Sequence, residues 1–270
     1  MEWLANLRWQ YVIVAVIVLT AVRLALGKSK SPIAKQTAEI SESLAIALAL
    51  VFLIIRPFII QAFYIPSGSM HPTLLEKDRL LVNKFIYRFK ETNHGDIIVF
   101  RAPEAATMDG TQKDFIKRCI GLPGDKIQVV PGYVKIGDIV YNHADLRSLL
   151  GNETASGEVI VRLYKDNVYV SGKPIDKKTL AEAADMPDAK VVIHPGGVIH
   201  NGKFLNEPYL NEDPDIAFSP IIVPKNHLFM MGDNRNDSND SRMWGPLERN
   251  RVQGKAMFIF WPLNRIRWIR

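Results

Sequence analysis

Phe58-Ile59-Ile60-Gln61-Ala62-Phe63-Tyr64-Ile65 runs directly into Pro66-Ser67-Gly68-Ser69-Met70-His71-Pro72-Thr73-Leu74. The first of these segments is apolar, β-branched and aromatic, as suits a pleated and half-buried strand. Pro57, just ahead of it, ends any helix arriving from the N-terminal side. In the second segment two serines flank a glycine between two prolines, which holds a hydroxyl on a stiff, exposed turn. Ser, Gly and Pro together also spell an ordinary loop, so the turn takes its chemical meaning from segments elsewhere in the chain.

Upstream lie two apolar runs. Trp9 to Leu26 is almost unbroken and, at about 1.5 Å per residue, is long enough to cross about 30 Å of hydrocarbon. Trp9 and Tyr11 suit one interface, and Arg23 can snorkel to the other. No charged region precedes this run and no Ala-x-Ala site follows it, so a retained span is expected rather than a removed leader. A polar linker, residues 27–43, carries Lys28, Lys30 and Lys35. The second span is expected over about 44–60; its clean core, Leu44 to Ile55, reaches only about 18 Å and needs its flanks to complete a crossing. The lysines place the linker in the cytoplasm and everything after residue 63 outside it.

Downstream the chain reads mainly as β. Strand-like runs are expected at 79–85, 96–101, 115–120, 126–130, 159–163, 167–170, 221–223, 227–231 and 255–261, separated by turns such as Leu122-Pro123-Gly124-Asp125. Only Lys177 to Ala184 reads as a short helix. Without βαβ alternation the sheets are expected to be antiparallel. The expected organisation is a membrane anchor over 1–63, a catalytic β core from 64–140 and 221–270, and an inserted β-rich subdomain at 141–220. Two segments of the insert, from Val168 and from Val198, look alike as strand, glycine turn, strand. The aromatic and basic tail after Phe258 suits a membrane surface or plain solvent equally well.

The net charge of +6 on 270 residues, without clustered basic and aromatic residues, fits lipid headgroups better than nucleic acid. Cys119, the single cysteine, excludes an intramolecular disulfide. In Asp114-Phe-Ile-Lys-Arg-Cys-Ile-Gly-Leu-Pro-Gly-Asp125, strand alternation puts Phe115, Lys117 and Cys119 on one face. A lysine with apolar neighbours can lose its charge through desolvation and then act as a base toward a nearby hydroxyl. The polar stretch Met231-Gly-Asp-Asn-Arg-Asn-Asp-Ser-Asn-Asp-Ser-Arg242 reads as a support shell, supplying a hydroxyl to orient the amine and a carboxylate–guanidinium pair to fix the loop. An EF-hand-like loop from Asp237 has Arg242 where the sharp turn needs glycine, so neither calcium nor any other metal is expected there.

Taken together, these segments resemble the bacterial type I signal peptidase family, membrane-anchored Ser-Lys proteases that remove signal peptides from exported proteins. The resemblance is carried by Pro-Ser-Gly-Ser-Met-x-Pro-Thr-Leu at 66–74, Gly-Asp-Ile-Ile-Val-Phe at 95–100, Ile-Lys-Arg-x-Ile-Gly-Leu-Pro-Gly-Asp at 116–125 and Gly-Asp-Asn-Arg-x-x-Ser-x-Asp-Ser-Arg at 232–242. Asp237 stands where the family more often has asparagine. The resemblance implies that Ser69 is the nucleophile and Lys117 the general base, that Ser238 hydrogen-bonds the amine, and that Ser67 and the Ser69 backbone N–H form the oxyanion hole. It further implies that Asp240 and Arg242 brace the loop. Phe63, Ile65, Met70 and Leu74 are candidates for shallow pockets accepting small residues before the cut, with the substrate pairing as an added strand. The implied setting is the bacterial plasma membrane, multi-pass, with the catalytic domain outside and no cofactor. The implied partners are preproteins, the bilayer and a nearby export translocon, with no nucleic acid.

Three other readings compete. A Ser-His-Asp hydrolase would use His71, but it lacks a Gly-x-Ser-x-Gly elbow. A self-cleaving repressor-type Ser-Lys protease has no need of two spans, and a membrane-tethered binding module leaves the four blocks unexplained.

Overall fold

A computed structural model describes residues 9–29, 31–51, 60–107, 110–150 and 160–269. Part of the expected second span (52–59), with Phe58, Ile59 and Val159 of the expected strands, lies outside the described residues. In chain order, helices α1 (Trp9–Leu26) and α2 (Pro32–Ala49) precede strands β1 (Ile60–Tyr64), β2 (Arg79–Asn83), β3 (Ile97–Arg101), β4 (Asp114–Gly121), β5 (Lys126–Val130), β6 (Tyr133–Ile136) and β7 (Ile139–Tyr141). Helix α3 (His143–Leu150) then leads to β8 (Val161–Tyr164), β9 (Asn167–Val170), β10 (Lys173–Ile175) and α4 (Lys177–Ala183). After these come β11 (Val191–His194), β12 (Gly197–His200), β13 (Lys203–Phe204), β14 (Phe218–Ile222) and β15 (His227–Met231). The chain closes with α5 (Ser241–Trp244), β16 (Leu247–Glu248), β17 (Val252–Trp261) and β18 (Arg267–Trp268). The class is mainly β, and the strands pair antiparallel.

Two compact units divide the chain. The first holds the two helices, β1, β2 and the C-terminal strands. Here the structure departs from the expected anchor. Among the described residues, no helix is long and apolar enough to cross a membrane. The segment expected as a polar linker is mostly helix, because α2 begins at Pro32, a residue pre-set for a first helical turn behind Ser31. Its buried residues Ala38, Ser41 and Ala45 recur on one face, α1 packs with α2, and Arg23 Nε meets Glu42 Oε2 at 2.5 Å. In the same unit β1 pairs with β2 from Ile60↔Asn83 to Tyr64↔Arg79. The aromatic tail folds back as β18 on β17, with the Phe258 and Trp268 rings 5.1 Å apart.

The second unit comprises Ile65–Asp78 and Thr92–Gln253. Within it β4 lies between β3 and β15, and β5 lies between β12 and β14. Ile120, Ile127, Val129, Val198, Val223, Phe229 and Met231 fill the core these strands share. Burying each such side chain contributes about 1.5–3 kcal/mol. A separate core serves the insert, built from Leu146, Leu163, Val168, Leu180 and their neighbours, and it also draws in Val134 and Ile136 from ahead of residue 141. The two look-alike segments are both hairpins, β9–β10 and β12–β13, each turning on two residues of positive φ: Ser171-Gly172 and Asn201-Gly202.

Helix α3 corrects the expectation of a single short helix after residue 64. Asn142 Oδ1 accepts from the N–H groups of Ala144 and Asp145, and Asp145 Oδ2 accepts from Asn142 N–H, a reciprocal cap. Leu146 and Leu150 then bury one stripe, a pattern too short to stand out in the sequence.

Candidate active site

Ser69 sits on the turn between β1 and β2. Beneath it Met70 and Leu74 are fully buried, and the Leu74 N–H donates to the Met70 carbonyl at 2.9 Å. Asn234 grips the same turn through its carbonyls: its side-chain amide donates to Gly68 O at 3.1 Å and its backbone N–H to Ser69 O at 3.1 Å. Strand β4 is held in register by Ile98↔Lys117 on one side and Met231↔Arg118 on the other. That register delivers Lys117, 4% exposed, so that its Nζ lies 2.5 Å from Ser69 Oγ.

Burial pushes the Lys117 pKa down from 10.5 to about 8; Asp240, Asp233 and Asp237 oppose this, and Arg242 adds to it. The ammonium donates to the serine oxygen, and once neutral its lone pair can accept the serine proton. His71, the base of the competing hydrolase reading, instead meets Glu76 Oε2 at 2.6 Å. Around Ser69 and Lys117 lies a cleft of about 600 Å³, lined among others by Pro66, Ser67, Phe115, Ile116 and Asn239.

Asp240 caps α5 and accepts from Gly232 N–H at 3.0 Å, while Arg242 Nε donates to its Oδ1 at 2.9 Å and Arg242 Nη2 to the Arg235 carbonyl. Through these bonds the pair links Gly232, Arg235 and Asp240 within the polar loop. Ser67 lines the cleft, exposed. Two expectations are corrected. Ser238 Oγ is buried against Gly232 with no hydrogen-bond partner, so the bond expected with the Lys117 amine is not made. Ile65, Met70 and Leu74 are buried beneath the turn, and none of these, nor Phe63, is among the residues lining the cleft; the apolar lining is supplied by Phe115 and Ile116 instead. The cause is geometric, since a turn this tight needs its own apolar residues as a floor. In the polar loop that follows Asp237, Asn239 donates to Ala106 O and Ser241 Oγ accepts from Met230 N–H. Burial pushes the Cys119 thiol up to about 12, so it stays protonated and fills space.

The sequence reading missed a buried polar network beside this site. Arg118, next to Lys117, forks onto Asp233 at 2.8 and 2.6 Å, donates to Gly95 O at 3.0 Å and lies 3.8 Å from the centre of the Tyr209 ring. Thr73 from the serine turn donates to the same Asp233 at 2.5 Å. Tyr209 donates to Glu207, and Glu207 pairs with the fully buried Arg235, which also bonds Gly232 O. Arg118 and Asp233 stand inside the quoted blocks, but no spacing in the sequence pairs them. Glu207 and Tyr209 come from the insert and carry no local signal.

Gly232 closes the loop onto the turn. A Cβ there would fall on Ser238 Oγ and on the Ser69 carbonyl, far inside van der Waals contact. Gly232→Ala is therefore expected to lower turnover by at least about 100-fold, because misplacing reacting groups by about 1 Å costs that much. A folded Gly232→Ala chain with wild-type turnover would show that the contact relaxes freely.

Residues 37–158 and 154–261 match the family described as signal peptidase, peptidase S26. Among similar proteins, "Probable signal peptidase I-2" of Synechocystis sp. is 31% identical over 88% of this chain and 80% of its own length. "Signal peptidase I" of Leptolyngbya laminosa is 32% identical over 88% of this chain and 85% of its own. "Signal peptidase I" of Aquifex aeolicus is 32% identical over 83% of each chain. With two matched stretches that take in the serine turn, β4 and the polar loop, the chain belongs to the signal peptidase family, peptidase S26, among its bacterial type I enzymes.

Proposed function

We propose that this signal peptidase cuts preproteins after small-x-small sites with a Ser69–Lys117 dyad. The supporting observation is the 2.5 Å approach of a buried lysine amine to a serine hydroxyl at the wall of an open cleft. Neutral Lys117 takes the Ser69 proton as Oγ attacks the scissile carbonyl, and the resulting oxyanion faces the Ser69 N–H and the Ser67 hydroxyl. The ammonium then gives its proton to the leaving amine, which frees the mature chain and leaves the signal peptide as an ester on Ser69. Neutral again, Lys117 activates a water that hydrolyses the ester. Asp240 and Arg242 hold the polar loop that supplies Asp237 and Asn239 to the same cleft as the amine.

The substrate is read as an added strand. Strand β15 pairs only with the Arg118–Gly121 end of β4, so the cleft-lining Asp114–Ile116 stretch has no described strand on that side. Phe115 and Ile116 would then shape the shallow pockets for small side chains. The helix pair is read as the membrane anchor: α1 turns Tyr11, Val14, Ile17, Val18 and Leu24 outward, a surface suited to lipid. Incubating the purified protein with a signal-bearing preprotein and sequencing the new N-terminus tests the substrate. A cut after a small-x-small triplet, lost in Ser69→Ala, is expected. A cut elsewhere, or one that survives the substitution, contradicts the reading.

The amine must be neutral to act, so kcat/KM is expected to rise with pH through about 8 and level off above it. Asp237 holds the Lys117 pKa up, and Asp237→Asn should move this limb to lower pH. A limb that stays put in Asp237→Asn would show that the carboxylate is not felt at the amine.

A further inference from the structure

Away from the dyad, three polar side chains converge from distant parts of the second unit. His94 stands in the loop before β3, Asp125 in the turn between β4 and β5, and His200 at the end of β12. Both histidines present Nε2 to one oxygen: His94 lies 2.7 Å and His200 3.1 Å from Asp125 Oδ2. One ligand atom from each residue falls within 4.8 Å of the other two, and the rings meet edge to face with centroids 4.8 Å apart.

We propose that His94, Asp125 and His200 form a binding site for a divalent transition metal of the zinc class, which ties the insert's β12–β13 hairpin to the catalytic core. Two imidazoles and a carboxylate are a nitrogen-rich donor set that suits zinc, cobalt or nickel rather than calcium or magnesium. Metal–ligand distances of about 2.0–2.2 Å put tetrahedral ligand atoms about 3.3 Å apart. The observed 2.7 and 3.1 Å need open by about 0.6 and 0.2 Å to reach that spacing. Surrounding groups already orient the carboxylate. Asn201 Nδ2 donates to Asp125 Oδ1 at 2.9 Å, the Leu122 N–H donates to Oδ2 at 2.7 Å, and Asn201 Oδ1 accepts from Lys126 N–H at 2.8 Å. These are the outer bonds that fix a metal ligand. The His94 side chain is 43% exposed, which gives an ion an entry path and leaves a coordination position for water.

The consequence reaches the dyad through the backbone. Gly95, beside His94, accepts from the Arg118 guanidinium through its carbonyl and donates its N–H to the Cys119 carbonyl, so it holds the two residues that follow Lys117. A metal at His94 therefore braces the strand that carries the base.

The test uses the untagged full chain in detergent, stripped of metal and titrated with Zn²⁺ and, separately, Co²⁺. One saturable equivalent of Zn²⁺, a Co²⁺ absorption spectrum of low coordination number and a raised Tm are expected. His94→Asn and His200→Asn should each weaken Zn²⁺ binding by at least about 100-fold with an unchanged circular dichroism spectrum. His227→Asn, which alters an imidazole bonded to the Lys225 carbonyl, should bind as the wild type does. No saturable binding at micromolar metal, or unchanged affinity in both variants, would overturn the proposal and leave a hydrogen-bonded clamp only. Binding without any rise in Tm would overturn the brace.

Discussion

Lys117→Met is expected to give a folded chain whose cleavage rate is lower by at least about 10³-fold, because proton transfer by a positioned base contributes about 10²–10⁴-fold and, among the described residues, Lys117 is the base bonded to Ser69 Oγ. Methionine keeps most of the stem volume, so the neighbours lose little packing. The same substitution has an opposite effect on stability. Lys117 titrates near 8 when folded and near 10.4 when unfolded, so between those values the unfolded chain holds more protons and stability rises with pH. Below about pH 8 the buried amine carries its full penalty, about 3 kcal/mol for a drop from 10.5 to about 8. At pH 7 the Met variant should therefore be the more stable protein, and its denaturant midpoint should lack the wild-type rise between about pH 8 and 10.4. Wild-type turnover in Lys117→Met would remove the base from the account. A midpoint lowered at pH 7 would mean that the amine is not paying for its burial.

Arg118→Met tests the adjoining network and should cost about 3–5 kcal/mol, since it strands the buried Asp233 carboxylate without its guanidinium. For a unit of this size that corresponds to a fall in Tm of about 6–20 °C by calorimetry. Activity should fall as well, because Asp233 also holds Thr73 of the serine turn and Arg118 fixes the strand position next to Lys117. The paired substitution Arg118→Met with Asp233→Leu should recover much of the stability, since the stranded charge is then gone. Equal losses in the single and double variants would show that the pair matters through packing alone.

The parts of this fold that could be read from the sequence are those fixed by local chemistry. Strands β5, β9 and β15 fall within their expected limits because alternation and the flanking turn residues define both ends. The placement of Lys117 among apolar neighbours followed from the same period, although Arg118 on the opposite face is equally buried. Its cost is met by Asp233, a partner far away in the sequence. Contacts of that kind leave no local trace. Glu207 under Arg235, Tyr209 under Arg118 and the Asn234 grip on the serine turn all depend on how the insert and the polar loop close over β4. Likewise Met70 and Leu74 look like pocket residues in the sequence, and only the depth of the turn shows them to be its floor.

The most direct test is the titration of Lys117 itself, followed through the carbon-13 shift of its Cε in lysine-labelled protein and assigned by its absence from Lys117→Met. A midpoint near 8, coinciding with the rising limb of kcat/KM, is the predicted result. A midpoint near 10.5 with full activity at neutral pH would contradict it, because a charged amine cannot accept the proton of Ser69.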